Sequence, residues 1–470
     1  MYEGKCLING ELKTAKENIE IISPIDNKKC GCVPAMKDSD IIEVFKCAQK
    51  AQKDWEKKYS LNERIELLNN FKILLIANSS KLSELMSFEI AKSLKDSAKE
   101  IERTIQYIDE TIQAIKLMEL KALKDNSIEN KFGLFKRVAK GVILAISPFN
   151  YPVNLSISKI APALVTGNTV VFKPATQGSL TGTFLADLFY QAKFPKGVIN
   201  VITGKGRDIG DSLVTNENID LISFTGSATI GNRIKKLSNG KELVLELGGK
   251  DPALVLADAD LEKTANEIVG GAFSYSGQRC TAIKRVLVED TIADKLVVKL
   301  LEKVKKLSVG SPLENKDITP VIDMATVDLV KDLIEDVKKH GGKILTNINI
   351  SKNLISPILV DMVSIKSKLA WIEPFAPILP IIRVKTTDEM IKIANDSIYA
   401  LQASVFTENI NQAFSLADKL DCGTVHINSK TQRGPDLFPF LGIKDSGQGV
   451  QGIIDTLKSV TRPKGIVVTY

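Results

Sequence analysis

The spacing of hydrophobic residues changes about a quarter of the way along the chain. Residues 40–120 carry apolar side chains at helical spacing among Lys and Glu, which predicts long amphipathic helices. Beyond residue 140 the pattern becomes short apolar runs separated by helical stretches. These runs are 142–146, 169–172, 198–202, 221–224 and 243–245. Because such runs do not alternate with polar residues, they predict a parallel sheet covered by helices on both faces.

A second strand and helix series follows residue 251, with strands at 253–256 and 286–288 and a long helix near 291–307. Two segments interrupt the α/β rhythm. Residues 118–137 are polar and then strand-like, and residues 463–470 are strand-like as well. Since neither has a hydrophobic partner nearby in the sequence, both predict edge strands that pair with another subunit.

Composition excludes several classes of function. The 470 residues predict two or three domains, and the net charge is +7, from 63 basic and 56 acidic residues. The basic residues are dispersed, so we expect no nucleic-acid partner. No apolar run reaches the ~18 residues that span a membrane, and the N-terminus has no apolar signal segment. The six scattered cysteines favour reduced thiols in the cytoplasm, and Cys30 and Cys32 lack the spacing of a metal site.

Two phrases carry the strongest candidate chemistry. ELGGK begins at Glu246, at the end of an apolar strand, and SGQRCT contains Cys280. A thiol together with a carboxylate base is the minimum equipment for covalent chemistry at a carbonyl. The chain has only two histidines, His340 and His426, which leaves little room for a catalyst that depends on histidine.

Candidate ligand-binding phrases follow several predicted strands. FTGS at 224–227 ends a strand and opens a helix with Ser227 as its N-cap, where amides suit a phosphate or simply form a capped loop. The glycine-rich run 204–210 resembles a dinucleotide fingerprint whose last glycine comes one residue late. Lys173 stands at a strand end, either as a ligand contact or as a surface lysine. Asn150 and Tyr151 lie between two prolines, which fix the chain there.

Taken together, these phrases resemble the aldehyde dehydrogenase superfamily. The landmarks occur in family order from about residue 7 to the end: PFN at 148–150, KP at 173–174, FTGS at 224–227, ELGG at 246–249, GQRC at 277–280, EPF at 373–375 and PFLG at 439–442. Three longer phrases are similar to those of the non-phosphorylating glyceraldehyde-3-phosphate dehydrogenases: ISPFNYPVNL from 146, YSGQRCT from 275 and HINSKTQR from 426.

The resemblance implies an aldehyde dehydrogenase fold, with a Rossmann-like cofactor domain, an α/β catalytic domain and a small β arm for oligomerisation. The implied ranges are 1–117 and 138–245 for the dinucleotide-binding domain, 246–440 for the catalytic domain, 118–137 and 455–470 for the oligomerisation strands, and 441–454 for a return to the cofactor domain. It also implies a homotetramer built as a dimer of dimers.

The same resemblance implies the roles of the site residues. Cys280 would be the nucleophile and Glu246 the base, while Asn150 and the Cys280 backbone amide would form the oxyanion hole. The implied substrate contacts are Arg103, Tyr151, Arg279, Thr281 and Arg433. Four of these, Arg103, Tyr151, Arg279 and Arg433, would hold the substrate phosphate and are called the implied phosphate set. Guanidinium groups suit phosphate because they present paired donors in a plane. We expect Arg279 to lower the pKa of the adjacent thiol, and the clustered arginines to require a bound anion.

Cofactor contacts follow from the resemblance as well. The implied set is Phe149, Lys173, Thr176, Gly206, Gly210, Phe224, Thr225, Gly226, Ser227, Leu247, Glu373 and Phe375. Members that prefer NAD carry a glutamate where Thr176 stands, and a carboxylate there would repel a 2′-phosphate. NADP is therefore the expected cofactor, with NAD weaker. The chain departs from the family where FGP is replaced by FAP at 375–377.

The implied function is irreversible NADP-dependent oxidation of glyceraldehyde 3-phosphate to 3-phosphoglycerate through a cysteine thioester, without phosphate incorporation. The alternative is a dehydrogenase of another small anionic aldehyde, such as succinate semialdehyde or lactaldehyde. Deacylation by coenzyme A is disfavoured by Glu246, because relatives with that chemistry lack this base. A catalytically dead relative is disfavoured by the intact Cys280, Glu246 and Asn150.

Overall fold

The computed structural model of the protein describes residues 1–118, 121–123 and 130–470. Its α-helices are Asp38–Lys58, Leu61–Ala77, Ser79–Ile90, Leu94–Lys116, Asn154–Val165, Ser179–Gln191, Gly206–Thr215, Ala228–Leu237, Leu261–Phe273, Asp290–Val304, Met324–Lys339, Thr387–Asn395, Ile410–Lys419 and Ile453–Ser459, with short 3₁₀ turns at Ser274–Gly277, Pro312–Glu314 and Lys368–Ala370. Helix starts follow local chemistry. At Leu61–Ala77, for example, Ser60 and Glu63 cap each other's backbone amides.

An eight-stranded sheet, which we call the N-terminal sheet, forms from the first strand series. Its strands in spatial order are Gly447–Gln448, Glu242–Glu246, Leu221–Thr225, Val142–Ile146, Thr169–Lys173, Ile199–Val201, Cys6–Ile8 and Glu11–Lys13. The five central strands are parallel, and antiparallel pairs close both edges. These central strands lie where the apolar runs predict them.

The second series forms a seven-stranded sheet, which we call the C-terminal sheet. In spatial order its strands are Lys343–Ile344, Ile358–Asp361, Ile378–Val384, Arg285–Glu289, Pro252–Val255, Gln402–Phe406 and Thr424–Ile427. All neighbours are parallel except the first pair. The predicted strands at 253–256 and 286–288 and the helix near 291–307 are confirmed within a few residues.

Burial explains why the sheets are apolar on both faces. Every residue of strand Thr169–Lys173 and of helix Asn154–Val165 is buried, because helices cover the N-terminal sheet on each side. Full burial of a large aliphatic side chain contributes about 1.5–3 kcal/mol, so this core supplies most of the driving force for folding. The predicted α/β architecture is confirmed.

Several further strand pairings lie outside the apolar runs that predict strands. Tyr2–Glu3, Lys29–Pro34 and Asn18–Ile22 form a small sheet near the N-terminus. Two-stranded pairs join Ile350–Ser351 with Leu354–Ile355 and Tyr399–Ala400 with Ile443–Lys444.

The two segments predicted as oligomerisation strands form one three-stranded antiparallel sheet, which we call the arm. Thr461–Thr469 pairs along its whole length with Lys131–Ala139, which also pairs with Lys121–Leu123. Two details differ from the prediction. Residues 455–459 belong to helix Ile453–Ser459, because Ile453 and Leu457 pack into the core. Residues 119–120 and 124–129 of the predicted strand segment 118–137 lie outside the described residues.

In the described ranges, no helix combines the length and the apolar character needed to cross a membrane.

Candidate active site

Polar residues meet at the carboxyl ends of the central strands of the N-terminal sheet. Thr225 ends one strand and Glu246 ends its neighbour, and the parallel register places these two residues side by side. Val142–Ile146 leads into the loop that carries Asn150, and Lys173 ends the strand beside it. Ligands of open α/β sheets bind at this edge, so these residues form a candidate binding site.

Cys280 follows a turn of unusual backbone geometry. Tyr275, Ser276 and Gly277 all have positive φ angles of 49°, 54° and 73°. Such a conformation costs of order 1–3 kcal/mol for each non-glycine residue and persists only when neighbours hold it. The Ser276 hydroxyl exchanges hydrogen bonds with the backbone of Thr319 at 2.7 and 2.8 Å. At Gly277, a Cβ would lie 2.5 Å from the Ala376 carbonyl oxygen. The turn is therefore clamped, which fixes the position of the thiol.

The Cys280 thiol faces the carboxylate of Glu246. The Sγ atom donates to Glu246 Oε1 at 3.3 Å, and Glu246 is 2% exposed. Burial raises the pKa of the Cys280 thiol far above its ordinary value, and the nearby carboxylate raises it further. Cys280 is thus a neutral thiol at rest, with an acceptor for its proton already in contact.

The predicted effect of Arg279 on the thiol pKa is wrong for this structure. The Arg279 guanidinium turns away from the sulfur and donates to the Gly271 carbonyl at 2.6 Å. Its Nε atom is buried without a hydrogen-bond partner among the described residues. Within those same ranges, Arg279 shares no hydrogen bond or ion pair with the other three residues of the implied phosphate set.

Arg433 and Thr225 contact the second carboxylate oxygen of Glu246, and Lys159 in turn contacts Thr225. Its Oε2 atom accepts from Arg433 at 2.7 Å and from the Thr225 hydroxyl at 3.2 Å, and Lys159 Nζ donates to that hydroxyl at 2.7 Å. Burial lowers the pKa of Lys159 to about 7, although the charge of Glu246 opposes the shift. Sequence reasoning missed Lys159, whose one signal is that it is the single charged residue of its helix.

Two arginines of the implied phosphate set share one carboxylate. Arg103 donates twice to Asp436, at 2.8 Å on each oxygen, and the Nε atom of Arg433 lies 3.8 Å from the same residue. Asp436 and Glu246 supply counter-charges to these two guanidiniums, and the expected binding of a free anion by the three arginines stays a prediction. Asp436 was missed because nothing in its local sequence marks it as a partner of residue 103.

The loop that carries Asn150 rests on a buried ion pair. Lys92 Nζ lies 2.5 Å from Glu100 and donates to the Asn150 carbonyl at 3.0 Å. The same ammonium stands 3.6 Å from the ring centroid of Tyr151. Glu100 also accepts from the backbone amides of Val153 and Asn154. Lys92 and Glu100 are therefore positioning residues that the sequence pattern did not reveal.

Asn150 and Thr281 both stand beside the nucleophile. The Asn150 side-chain amide donates to the Gln278 carbonyl at 2.9 Å, which places an N–H donor two residues from Cys280. Thr281 is buried, and its carbonyl accepts from Thr431 at 2.8 Å. The Asn150 amide thus contacts the segment that carries Cys280, and its expected role in an oxyanion hole stays a prediction.

The residues expected to meet the cofactor include Lys173, Thr176 and Phe224–Ser227. We call these residues and the helix starts beside them the nucleotide edge, where Lys173 and Ser227 bond to nearby backbone atoms. Lys173 is buried, its Nζ atom donates to the Pro174 carbonyl at 3.0 Å, and burial lowers its pKa to about 8. Ser227 caps helix Ala228–Leu237 by accepting from Ile230 at 3.4 Å. This helix start lies at the ligand-binding edge.

Three further implied cofactor contacts, Thr176, Gly206 and Gly210, lie near the starts of two helices. Glu89 accepts from the amides of Gly178, Leu180 and Thr181, so the start of helix Ser179–Gln191 is already occupied by a carboxylate. Thr176 is half-buried on the loop before it. Gly206 and Gly210 have open space where a Cβ would stand, so the geometry does not require glycine at either position.

Glu373 closes the site from the C-terminal sheet. It accepts from the Gly249 amide at 3.2 Å and pairs with Lys284 at 3.0 Å, and a Cβ on Gly248 would lie 2.1 Å from its Oε2 atom. Gly248 is thus needed for close approach. Phe375 has a φ of 47° and meets Phe149 edge-on at 5.9 Å.

Two further residues of the implied cofactor set are packing contacts in the structure. Leu247 is buried, and its side chain would block a Cβ on Gly231 at 2.4 Å. Gly226 lies under the Phe224 ring, where a Cβ would stand 2.5 Å from the ring.

Lys284, which also donates to the Cys280 carbonyl at 2.5 Å, was not found from the sequence.

Comparison with known proteins agrees with the family resemblance of the sequence. The sequence matches the aldehyde dehydrogenase family over residues 12–466. It is 47% identical to an NADP-dependent glyceraldehyde-3-phosphate dehydrogenase from Streptococcus equinus, over 98% of each chain. It is 43% identical to the enzyme of that name from Pisum sativum, over 99% of this chain and 95% of the relative.

A solved structure agrees with these relatives. The NADP-dependent glyceraldehyde-3-phosphate dehydrogenase from Bacillus halodurans C-125, complexed with NADP, superposes with a TM-score of 0.98 at 47% identity, over 100% of both chains. The ordered landmarks, the paired thiol and carboxylate and the two sheets therefore have one explanation: the chain belongs to the aldehyde dehydrogenase family.

Proposed function

We propose that the protein oxidises glyceraldehyde 3-phosphate to 3-phosphoglycerate with NADP, through a thioester on Cys280 and without incorporating phosphate. The proposal rests on one observation: the pair formed by the Cys280 thiol and the Glu246 carboxylate is in contact with an arginine of the implied phosphate set. Arg433 contacts the catalytic carboxylate of Glu246 and also faces Asp436, which holds Arg103. Guanidiniums that suit a phosphate are thus linked to the reacting thiol through Glu246. The relatives from Streptococcus equinus and Pisum sativum carry the corresponding name.

The residues of the nucleotide edge fit NADP. Lys173 keeps a buried ammonium with only the Pro174 carbonyl as its partner among the described residues, which leaves donors for ribose or phosphate oxygens. Helix Ala228–Leu237 starts at this edge, and the first amides of a helix lack intrahelical partners. Thr176 places no carboxylate near a 2′-phosphate. Glu373 and Phe375 would meet the nicotinamide half. When bound, NADP supplies the acceptor for the hydride of the aldehyde carbon.

The residues of the chain account for the rest of the reaction. The Cys280 sulfur bonds to the aldehyde carbon, and Glu246 is placed to take the thiol proton because the two already share a hydrogen bond. The Asn150 amide stabilises the oxygen on which charge develops. After oxidation, Glu246 releases the thiol proton to solvent and is again a carboxylate. It then takes a proton from water, the hydroxide adds to the thioester carbonyl, the carbon–sulfur bond breaks, and the sulfur regains a proton. Release of a carboxylate in place of an acyl phosphate makes the reaction effectively irreversible.

We also propose a homotetramer, a dimer of dimers that is assembled through the arm. The arm exposes apolar side chains: Leu123, Phe135, Ile466, Val467 and Tyr470. Strand Thr461–Thr469 stands at the edge of its sheet, and a second copy of the chain is the partner that would cover such an edge. The cytoplasm is the proposed location, since all six cysteines are free thiols.

A substrate panel tests the proposed function. We expect kcat/KM for glyceraldehyde 3-phosphate to exceed that for unphosphorylated glyceraldehyde by about tenfold or more, as expected from one charge-assisted hydrogen bond to phosphate. The panel should include succinate semialdehyde and lactaldehyde, each with NADP and with NAD, and contain no inorganic phosphate. If succinate semialdehyde or lactaldehyde is the better substrate, the proposed substrate is wrong and the alternative aldehyde class replaces it.

A further inference from the structure

Arg433 is the one arginine in the described part of the site that touches the catalytic base. Its NH1 atom donates to Glu246 Oε2 at 2.7 Å, while its Nε atom lies 3.8 Å from Asp436. The side chain is 9% exposed and its guanidinium stands 4.8 Å from the ring centroid of Phe440. The guanidinium is therefore bonded mainly to the carboxylate that is proposed to activate water.

Both oxygens of Glu246 are engaged in this state. Oε1 accepts from the Cys280 thiol, and Oε2 accepts from Arg433 and Thr225. Formation of the thioester passes the thiol proton to Glu246 and from there to solvent, which leaves Oε1 free. Nothing in that step changes the hold of Arg433 on Oε2. A carboxylate that is bonded to a guanidinium is a weaker proton acceptor than one released from it.

Arg103 differs from Arg433 in how firmly it is held. It donates twice to Asp436, at 2.8 Å on each oxygen, which is a bidentate pairing with a fixed orientation. Arg433 has only a single 3.8 Å approach to the same carboxylate. A phosphate that arrives beside Arg103 would thus meet one fixed guanidinium and one that can change partner.

We propose that the substrate phosphate draws Arg433 away from Glu246, so that the base is released only when a phosphorylated acyl group is on Cys280. This inference rests on the proposed function, because it requires a phosphorylated aldehyde. It places part of the substrate specificity in the hydrolysis step. An unphosphorylated acyl group forms its thioester but waits for hydrolysis, because Arg433 still holds the base.

The coupled step balances without any further reactant. The phosphate dianion replaces Glu246 as the acceptor of the Arg433 N–H, and no covalent bond changes. Glu246 then takes one proton from water, the hydroxide oxygen bonds to the thioester carbon, and the carbon–sulfur bond breaks. The sulfur leaves with the bonding pair and regains a proton, which regenerates the Cys280 thiol and releases the acid.

A free dianion should replace the missing phosphate of glyceraldehyde. With NADP and unphosphorylated glyceraldehyde, we expect added sulfate to raise the steady-state rate of the holoenzyme by about tenfold, the factor of one charge-assisted hydrogen bond. The rapid burst of NADPH that reports thioester formation should not change in amplitude. Sodium chloride at matched ionic strength is the control. A steady-state rate that responds equally to sulfate and to chloride overturns the proposal.

Variants of the two arginines separate coupling from simple binding. Arg433→Gln frees Glu246 permanently, so hydrolysis with glyceraldehyde should be faster than in wild type and no longer respond to sulfate. Arg103→Gln is the matched control, which should keep the response but need more sulfate to reach it. Slower glyceraldehyde hydrolysis in a folded Arg433→Gln enzyme overturns the proposal. If that variant does not fold, Arg433→Lys replaces it and should keep a weakened response, whereas the same response as wild type overturns the proposal.

The wild-type enzyme keeps this test separate from the test of the proposed function. A strong preference for glyceraldehyde 3-phosphate together with no sulfate response rejects the coupling alone. An absence of that preference rejects the proposed substrate, whatever sulfate does.

Discussion

The catalytic cluster and the nucleotide edge are built in opposite ways, although both lie at the carboxyl ends of the same strands. We define the catalytic cluster as Cys280, Glu246, Arg433, Asp436 and Arg103. Its members come from distant parts of the chain and are hydrogen-bonded or ion-paired to one another. At the nucleotide edge, by contrast, Lys173 and Ser227 bond to backbone atoms within three residues of themselves.

The two regions therefore differ in how strongly each side chain depends on its partners. In the catalytic cluster a change at one side chain leaves a buried partner without its counter-charge, and that penalty is large. At the nucleotide edge, Lys173 and Ser227 can be exchanged with little effect on other side chains, since each bonds to nearby backbone; Thr225, which bonds to Glu246 and Lys159, is the exception. Substitutions should therefore have large and cooperative effects in the first region and separable effects in the second.

The largest expected effect is the loss of the base in the catalytic cluster. Glu246→Ala should form the thioester more slowly, because the acceptor of the thiol proton is lost, and release about one NADPH per active site. It should then stall, because no carboxylate remains to take a proton from water. General base catalysis contributes about 10²–10⁴-fold, so the steady-state rate should fall by that factor. Rapid-mixing absorbance measurements give the burst and the steady state together.

Glu246→Gln is the matched control, because it keeps a hydrogen-bond acceptor for the thiol but cannot take a proton. It should show the same burst amplitude and the same stall as Glu246→Ala. A variant that turns over slowly without any burst would limit the role of Glu246 to thioester formation and contradict its assignment as the hydrolytic base.

The two regions also differ in how far the sequence predicts them. The α/β alternation, the central strands and the helix at Ala228–Leu237 follow from local hydrophobic spacing and from caps such as Ser227, which act within a few residues. The nucleotide edge is therefore recognisable from short stretches of sequence alone. The family resemblance indicates a nucleophile and a base at Cys280 and Glu246, and the folded chain brings these two side chains within 3.3 Å of each other.

The pairings of the catalytic cluster could not be predicted in the same way. Asp436 is separated from Arg103 by more than three hundred residues, and only the folded chain shows that one carboxylate serves two arginines. The direction of the Arg279 side chain was wrong because proximity in sequence to Cys280 does not fix where a guanidinium points. Lys92 and Glu100 were missed because a buried ion pair leaves no periodic pattern.

An intermediate effect is expected from a charge at the nucleotide edge. Thr176→Glu should weaken NADP by about fivefold or more while leaving NAD nearly unaffected, because a carboxylate beside a 2′-phosphate costs on the order of 1 kcal/mol. Thr176→Gln has a similar volume without the charge and should retain the wild-type preference. Dissociation constants from fluorescence titration of both cofactors decide the matter. An unchanged ratio would mean that the 2′-phosphate is recognised elsewhere, with Lys205 and Arg207 the next candidates.

The smallest expected effect is a pH-dependent change in stability at Lys159. Burial lowers the pKa of Lys159 to about 7 in the folded protein, against about 10.4 in an unfolded chain. Between these values the unfolded state binds more protons, so this group makes stability rise with pH. Its destabilising contribution is fully present below about pH 7 and is lost as the pH approaches 10.4. Lys159→Met should therefore raise Tm by about 2 °C or more at pH ~6.5 and by less at pH ~9.

Thermal unfolding of both proteins across this range provides the measurement, and Lys263→Met is the control, since it replaces an exposed lysine on helix Leu261–Phe273. That control should shift Tm by the same small amount at every pH. Lys159 also stabilises the thiol and carboxylate of the catalytic cluster through Thr225, so part of its cost is offset by Glu246. A Tm gain for Lys159→Met that grows with pH would show that the lysine is charged in the folded protein, and would place it inside the ion-paired cluster as a full member.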